Sequence, residues 1–261
     1  MFQQSYKVPD NFKKGINSSL PLVQLNSLFS FYDISKKRES SKLTYNLLLI
    51  FIPQFYNRIL IIMADVSPRP ANESQISHPL PGLTNIITGH DPSTGKSIIQ
   101  DERPAQWADP FNNKTMAFNA VYTTSKFPPD LNDDADLNEH NELSAPGKLG
   151  LVSPGGTVCR IVDFCPGNDG LMHRTQSLDY GVVLEGSVEL VLDSGATRVM
   201  HRGDSAVQRA TMHSWRNPSP TEWARMFFVL QDCQPVTVGD QALKEDLGVG
   251  SDFLPPSQNN I

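Results

Sequence analysis

The sequence predicts an all-β fold, a single antiparallel β-barrel with an N-terminal extension. From Gly150 onward, short apolar segments alternate with turns rich in Gly, Asn, Asp and Pro, a pattern typical of a barrel or a sandwich. The chain also has 20 Pro and 17 Gly in 261 residues, which favours many turns over long helices, and no helix is predicted before Asp240. The barrel is predicted over residues 150–238, with residues 239–261 as a C-terminal tail, and no internal repeat indicates a second barrel.

Apolar runs bounded by turn residues predict six strands inside this barrel. They are Thr157–Phe164, Asp179–Leu184, Ser187–Leu192, Ser205–Gln208, His213–Arg216 and Ala224–Leu230.

Residues 83–149 are predicted to add strands and a loop that pack on the barrel. Thr84–Thr88 and Ser97–Gln100 flank a turn-rich stretch and predict a hairpin, and Met116–Thr124 predicts a further strand. The acidic stretch at 130–142 is predicted to be a solvated loop.

The N-terminal part has a different character. Residues 1–62 carry a net charge of +5, whereas the whole chain carries −6. The apolar run at 47–63 follows a basic cluster and so resembles a signal anchor, but Pro53 and Arg58 interrupt it and it is shorter than the ~20 residues of a spanning helix. Residues 1–62 are therefore predicted to be an extension outside the fold, with a membrane anchor as the weaker alternative. Residues 63–82 form a Pro/Ser-rich lead-in.

Composition excludes some classes of function. Residues outside the basic N-terminal part are strongly acidic and would repel a phosphate backbone, so nucleic-acid binding is not expected. The three Cys show no pairing pattern and no zinc-site spacing, which argues against a disulfide-stapled secreted scaffold. The default expectation is a cytoplasmic protein with a small-molecule ligand.

Four polar residues are candidates for a common site inside the barrel. Residues of equal parity on an extended chain face the same way, so His173, Thr175 and Asp179 are predicted to point together into the barrel. His213 enters from a separate strand and closes the group. Two imidazoles and one carboxylate are the donor set that holds non-haem Fe(II) with positions left open, and Mn or Zn is also compatible.

The same region resembles the cupin superfamily. The first cupin motif has a Gly, His-x-His, an acid and a final Gly, and the second has a Gly, a His and, four residues later, an Asn. The matching positions are His173, Asp179 and Gly186 in the first motif and Gly203, His213 and Asn217 in the second. Thr175 replaces the second His of the motif, and Asp179 replaces the usual Glu. The resemblance implies a metal held by His173, Asp179 and His213.

The sequence around these motifs is similar to that of small single-domain fungal cupins. Some of these accompany polyketide pathways and are named oxidoreductases. This resemblance implies a metal-dependent oxidoreductase of fungal secondary metabolism that acts on a small polyketide or aromatic metabolite. It also implies a homodimer, because cupins commonly pair through edge strands.

Two alternatives stay open on the residues alone. One is a metal-free enzyme in which Asp179 and His213 act as acid and base, as in a dehydratase, a decarboxylase or an isomerase. The other is a non-catalytic module that binds a small ligand.

Three residues are predicted to contact a substrate. Arg209 shares parity with His213, and if it faces inward it would suit a carboxylate or phenolate. The alternative is an Arg that pairs with an Asp or Glu at the rim. Thr175 is expected to contribute a hydrogen bond, either to the substrate or to another residue of the site from behind it. Trp215 is either a substrate platform or part of the core.

Overall fold

A computed structural model of the chain describes residues 69–249 and 254–259. All of the described residues belong to one compact unit. The predicted N-terminal extension at 1–62 and the apolar run at 47–63 therefore lie outside the described residues. Within the described part, no helix combines the length and the apolar character needed to cross a membrane.

Strands dominate the described part of the chain. They are β1 (Thr84–His90), β2 (Ser97–Pro104), β3 (Met116–Thr124), β4 (Thr157–Phe164), β5 (Ser177–Glu185), β6 (Ser187–Leu192), β7 (Thr197–His201), β8 (Ser205–Arg209), β9 (His213–Arg216), β10 (Ala224–Asp232), β11 (Val236–Val238) and β12 (Gln241–Leu243). One α-helix, α1 (Ala135–Leu143), follows a 3-10 turn at Asn132–Asp134. The all-β prediction is confirmed.

Two antiparallel sheets enclose the core. The larger has the strand order β3-β4-β10-β5-β8, and the smaller has the order β7-β6-β9. Alternate residues of β4 and β10 point between the sheets, because successive side chains of a strand face opposite sides. The buried residues of this core include Val158, Val162 and Phe164 of β4 and Met226, Phe228 and Leu230 of β10.

The outer face of the larger sheet is also covered. The β1–β2 hairpin and the segment that follows it bring Ala105 and Trp107 onto Ala117 and Ile161, which form a second buried cluster. Strand β4 is therefore buried on both faces, which explains why its burial does not simply alternate.

A buried ion pair fastens the lead-in to this outer face. The guanidinium of Arg225 binds Asp163 through two parallel hydrogen bonds of 2.6 and 2.7 Å, and both side chains are at most 1 % exposed. The third Arg225 nitrogen donates to the carbonyl of Pro81 at 2.8 Å, and the hydroxyl of Ser77 donates to the Asp163 carboxylate. The Trp107 ring lies 5.0 Å from the guanidinium carbon.

Two parts of the sequence prediction were wrong here. The acidic stretch predicted as a loop contains helix α1, which also contradicts the expectation of no helix before Asp240. The helix buries only His140 and has no apolar stripe that a sequence pattern could reveal. Strand β7 was not predicted either, because only Met200 of its five residues is buried. The six predicted barrel strands and the hairpin are all present, with small shifts at their ends.

Candidate active site

An inner cavity of about 60 Å³ lies between the two sheets and holds most of the candidate residues. Its wall is mainly apolar, which excludes water and strengthens the electrostatic effects of the few polar groups in it. The apolar lining residues are Phe111, Met116, Phe118, Leu151, Val162, Phe164, Leu171, Trp215, Phe228, Leu230 and Leu254. The polar ones are Arg160, His173, Asp179 and His213.

His173 and His213 are brought together by their backbones. The amide of His173 donates to the carbonyl of His213 at 2.8 Å, and the amide of His213 donates to the carbonyl of His173 at 2.9 Å. Because directly paired residues of an antiparallel bridge lie side by side, the two rings are close, with centroids 4.4 Å apart. The structure thus places the two predicted histidines side by side.

Each ring is also oriented by a second hydrogen bond. Nδ1 of His173 lies 2.8 Å from the carbonyl of Leu171, and Nδ1 of His213 lies 2.9 Å from the carbonyl of Thr211. A carbonyl only accepts, so each Nδ1 carries the proton and each Nε2 keeps a free lone pair. Such a backbone contact on the other nitrogen is usual for histidines that bind metals.

Burial keeps both imidazoles neutral. It lowers the pKa of His213 to about 3, with the neighbouring His173 as the second cause. Burial also lowers the pKa of His173. A neutral imidazole is the form that coordinates a metal ion, whereas a group with so low a pKa is a weak base at neutral pH.

Asp179, on β5, contributes the carboxylate of the cavity. Its Oδ2 accepts a hydrogen bond of 2.7 Å from Nε2 of Gln208, while its buried Oδ1 has no hydrogen-bond partner. Burial raises the pKa of Asp179 to about 6, although hydrogen bonds and the charge of Arg160 act in the opposite direction. A buried carboxylate oxygen without a partner is costly unless a ligand, an ion or a proton satisfies it.

The donor chemistry of these residues fits a divalent metal. Two imidazole nitrogens with free lone pairs and an orphaned carboxylate oxygen are nitrogen and oxygen donors of the type that Fe(II), Mn and Zn accept. Within residues 69–249 and 254–259, however, no three His, Cys, Asp or Glu side chains are close enough to form a ready metal site. The two histidines form a pair, and Asp179 lines the same cavity without converging on them.

Thr175 does not line the cavity. Its side chain is completely buried, and its hydroxyl oxygen accepts hydrogen bonds from Ser177 at 2.7 Å and from Gln208 at 3.4 Å. Gln208 also binds Asp179, so Thr175 supports the carboxylate through that amide. The predicted contact of Thr175 with a substrate is therefore replaced by a supporting position behind the site.

Arg209 is a second correction. Its side chain is exposed, whereas the preceding Gln208 is buried. The equal parity of Arg209 and His213 did not apply because Ala210 has a positive φ of 50°, which ends the extended chain between β8 and β9. Trp215, by contrast, does line the cavity, with its ring edge-on to His213 at 5.5 Å, and it is also part of the core.

The inward arginine of the site is Arg160, which sequence reasoning did not single out. It is 6 % exposed and shares a face of β4 with the core residues Val158 and Val162. A charged residue in the middle of an apolar strand, at the parity of the buried positions, was the signal that could have revealed it. Its Nη2 donates to the carbonyls of Gly150 and Leu151 at 2.7 and 3.1 Å.

An outer cavity of about 580 Å³ adjoins the inner one. The two share Phe118, Arg160 and Leu254 in their linings. The outer cavity is walled by the β1–β2 hairpin and its following segment, by helix α1 and the loop after it, and by the C-terminal residues 254–255. Residues 83–149 thus line much of the outer cavity, which lies in front of the inner one.

Comparison with known proteins agrees with this architecture. A family model described as "Cupin domain" matches residues 160–230. The phomopsin biosynthesis cluster protein D of Diaporthe leptostromiformis is 44 % identical over 67 % of this chain and 91 % of its own length. The oryzines biosynthesis cluster protein J of Aspergillus oryzae is 40 % identical over 64 % of this chain and 93 % of its own.

A further relative has an activity class in its name. The cupin-domain-containing oxidoreductase fogC of Aspergillus ruber is 40 % identical over 66 % of this chain and 84 % of its own length.

Proposed function

The chain belongs to the cupin family, and from that membership we propose that it is a metal-dependent oxidoreductase acting on a small polyketide or aromatic metabolite of fungal secondary metabolism. Relatives named cupin-domain-containing oxidoreductases support the reaction class, and relatives named after biosynthesis clusters support the metabolic setting. The observation that carries the metal is the pair of neutral imidazoles whose Nε2 atoms are free.

His173 and His213 would hold the ion, with Asp179 as the third protein donor, and Fe(II) is the proposed metal. When bound, a divalent metal polarises an oxygen of the substrate or activates dioxygen at an open position. The protein supplies the remaining features. The backbone bridge fixes the two imidazoles, Gln208 orients the carboxylate, and the apolar wall keeps water from the reacting groups.

The metal-free acid–base alternative is less well supported by the pKa values of the two residues it needs. The pKa of Asp179 is raised by burial to about 6, which suits a general base, but burial lowers the pKa of His213 to about 3. Since a general acid or base works best with a pKa near the working pH, His213 is poorly suited to that role. The same neutral imidazole is well suited to coordination.

The proposal also includes a homodimer in the cytoplasm. Size-exclusion chromatography with light scattering would distinguish a dimer from a monomer, and fractionation of the source cells would test the compartment.

The deciding experiment is metal content by mass spectrometry on protein purified without a His tag. The wild-type chain, loaded anaerobically with Fe(II), should retain nearly one metal per chain, and a His173→Ala/His213→Ala variant should retain none. A His78→Ala/His90→Ala variant, which removes two exposed imidazoles, is the matched control and should bind like the wild type. Absence of bound Fe, Mn and Zn from the loaded wild-type chain would overturn the proposal of a metalloenzyme.

A further inference from the structure

Two buried arginines on neighbouring strands of the same sheet differ in how they are satisfied. All three nitrogens of the Arg225 guanidinium have partners, in Asp163 and the carbonyl of Pro81. Among the described residues, the hydrogen bonds of the Arg160 guanidinium all come from one nitrogen, Nη2. Its Nε is buried without a partner, and within the described part of the chain it forms no ion pair.

A buried guanidinium with unused donors is unfavourable in a folded protein unless an anion completes it. The nearby carboxylate of Asp179 acts on Arg160 only through space, without a hydrogen bond or a contact short enough to count as an ion pair. Arg225 therefore has a structural role, whereas Arg160 keeps donors available on the wall of both cavities.

The outer cavity has the electrostatic character that an anion needs. Among the described residues that line it, two are arginines, Arg103 and Arg160, and none is Asp or Glu. This contrasts with the chain as a whole, which carries a net charge of −6. The lining also includes His140, but burial lowers the pKa of that imidazole and keeps it uncharged.

Arg103 and Arg160 are not equivalent within this lining. Arg103 is already paired with Asp101 at 3.0 Å, and their side chains are both 37 % exposed. Arg160 lies deeper, at the junction with the inner cavity, and its guanidinium carbon is 5.3 Å from the centre of the Phe118 ring. A planar anion at this junction would thus meet unused guanidinium donors beside an aromatic face.

We propose that Arg160 recognises an oxyanion, a carboxylate or a phenolate, on a small substrate whose apolar body occupies the outer cavity. The volumes favour this division, because the inner cavity has room for only a few atoms and the outer one is about ten times larger. The inference rests on the proposed function, since it takes the inner cavity as the place of reaction. It adds the charge of the substrate and the residue that selects it.

The test measures binding without any metal. Isothermal titration calorimetry on the full chain, treated with EDTA, uses 2-naphthoate as the anionic probe and 2-naphthamide as its neutral counterpart. The wild-type chain should bind the carboxylate more tightly than the amide. The Arg160→Gln variant should lose about tenfold or more in affinity for 2-naphthoate and bind 2-naphthamide as the wild type does.

Two further variants make the result decisive. Arg198→Gln removes the same charge from an exposed position on β7 and should bind both probes like the wild type. Arg160→Lys keeps the charge but not the planar fork, so it should also bind 2-naphthoate more weakly, and it replaces Arg160→Gln if circular dichroism shows that the latter does not fold.

Three outcomes would overturn the proposal. They are no binding of 2-naphthoate by the wild-type chain, equal binding of acid and amide, or wild-type affinity in a folded Arg160 variant. Because EDTA is present, none of these results depends on the metal. If no metal binds, the preference for the carboxylate can still be observed. If the carboxylate is not preferred, the metal proposal is unaffected.

Discussion

His173 and His213 are joined by hydrogen bonds between their main chains. Reciprocal amide-to-carbonyl hydrogen bonds of 2.8 and 2.9 Å set the two rings beside each other before any ligand binds. The spacing of the two imidazoles is therefore a property of the fold, and the side chains can be changed separately from the bridge that positions them.

This separation predicts different effects for two substitutions at one position. His173→Ala removes the imidazole but keeps the amide that bridges to His213, so we expect Co(II) affinity to fall about 100-fold or more with little change in the melting temperature. His173→Pro also removes the donating N–H and should lower the melting temperature clearly. Titration by Co(II) absorption and thermal melts followed by circular dichroism measure both effects. Equal melting temperatures for the two variants would show that the bridge does not stabilise the site.

A pair of glycines in the loop before His173 gives the second prediction. Gly167 and Gly170 both have positive φ, 66° and 72°. A Cβ at Gly167 would meet nothing within 4 Å, but one at Gly170 would lie 2.3 Å from Oγ of Ser214 and 2.4 Å from the carbonyl oxygen of Trp215.

Gly167→Ala should thus cost only the strain of the left-handed conformation, about 1–2 kcal/mol. Gly170→Ala should cost more and should also weaken metal binding, because strand β9 carries His213. Urea unfolding and the Co(II) titration measure the two effects. Similar stability of the two variants would contradict the packing described at Gly170.

Asp179 gives the third prediction, which concerns pH. Its ordinary pKa of 3.8 is raised by burial to about 6 in the folded, metal-free chain. The folded state therefore binds a proton more readily than the unfolded state, and the contribution of this group to stability is lost as the pH rises from about 4 to about 6. Asp179→Asn removes this dependence, so its stability relative to the wild type should increase between pH 4 and pH 7.5.

The size of this increase is limited to about 3 kcal/mol by the shift of about two pKa units. Urea unfolding in EDTA at the two pH values measures the difference between variant and wild type. A difference that is the same at both values would mean that Asp179 does not titrate in this range.

The fourth prediction concerns the ion pair on the outer face of the large sheet. Asp163→Asn leaves the buried charge of Arg225 without its partner, so we expect a loss of about 3–5 kcal/mol in the free energy of unfolding. Asp101→Asn breaks the half-exposed pair with Arg103 and should cost under about 1 kcal/mol. Urea unfolding compares the two variants, and a cost below that of Asp101→Asn would show that Arg225 finds another partner.

Most of the barrel was predictable because turn residues bound its strands. The segments Thr157–Phe164, Ser187–Leu192 and His213–Arg216 have the bounds that the sequence predicted. Helix α1 was not predictable from periodicity, because polar contacts hold it. Tyr122 binds Asp136 at 2.5 Å, and Thr123 binds His140 at 3.0 Å.

The candidate site was likewise predictable only where a local sequence pattern marked its residues. His173 and His213 were predicted because their spacing matches known motifs, and the structure pairs their backbones. The parity argument failed for Arg209 because it assumes an unbroken extended chain, and the positive φ of Ala210 breaks it. Arg160 was missed because β4 is buried on both faces and alternates only weakly, so the charge within an apolar strand was the one sign of its inward position.

The hydrogen bond between Arg225 and the lead-in bears on how short a fragment of this chain can be and still fold on its own. Residues 160–230, which carry the family match, include both Asp163 and Arg225. They lack Pro81, which accepts the third hydrogen bond of the guanidinium, and they lack β3, the neighbour of β4 in the sheet. A fragment trimmed to the recognisable range would have an unpaired strand edge and an Arg225 guanidinium without one of its three hydrogen bonds. The smallest autonomous folding unit therefore extends well upstream of the segment by which the family is recognised.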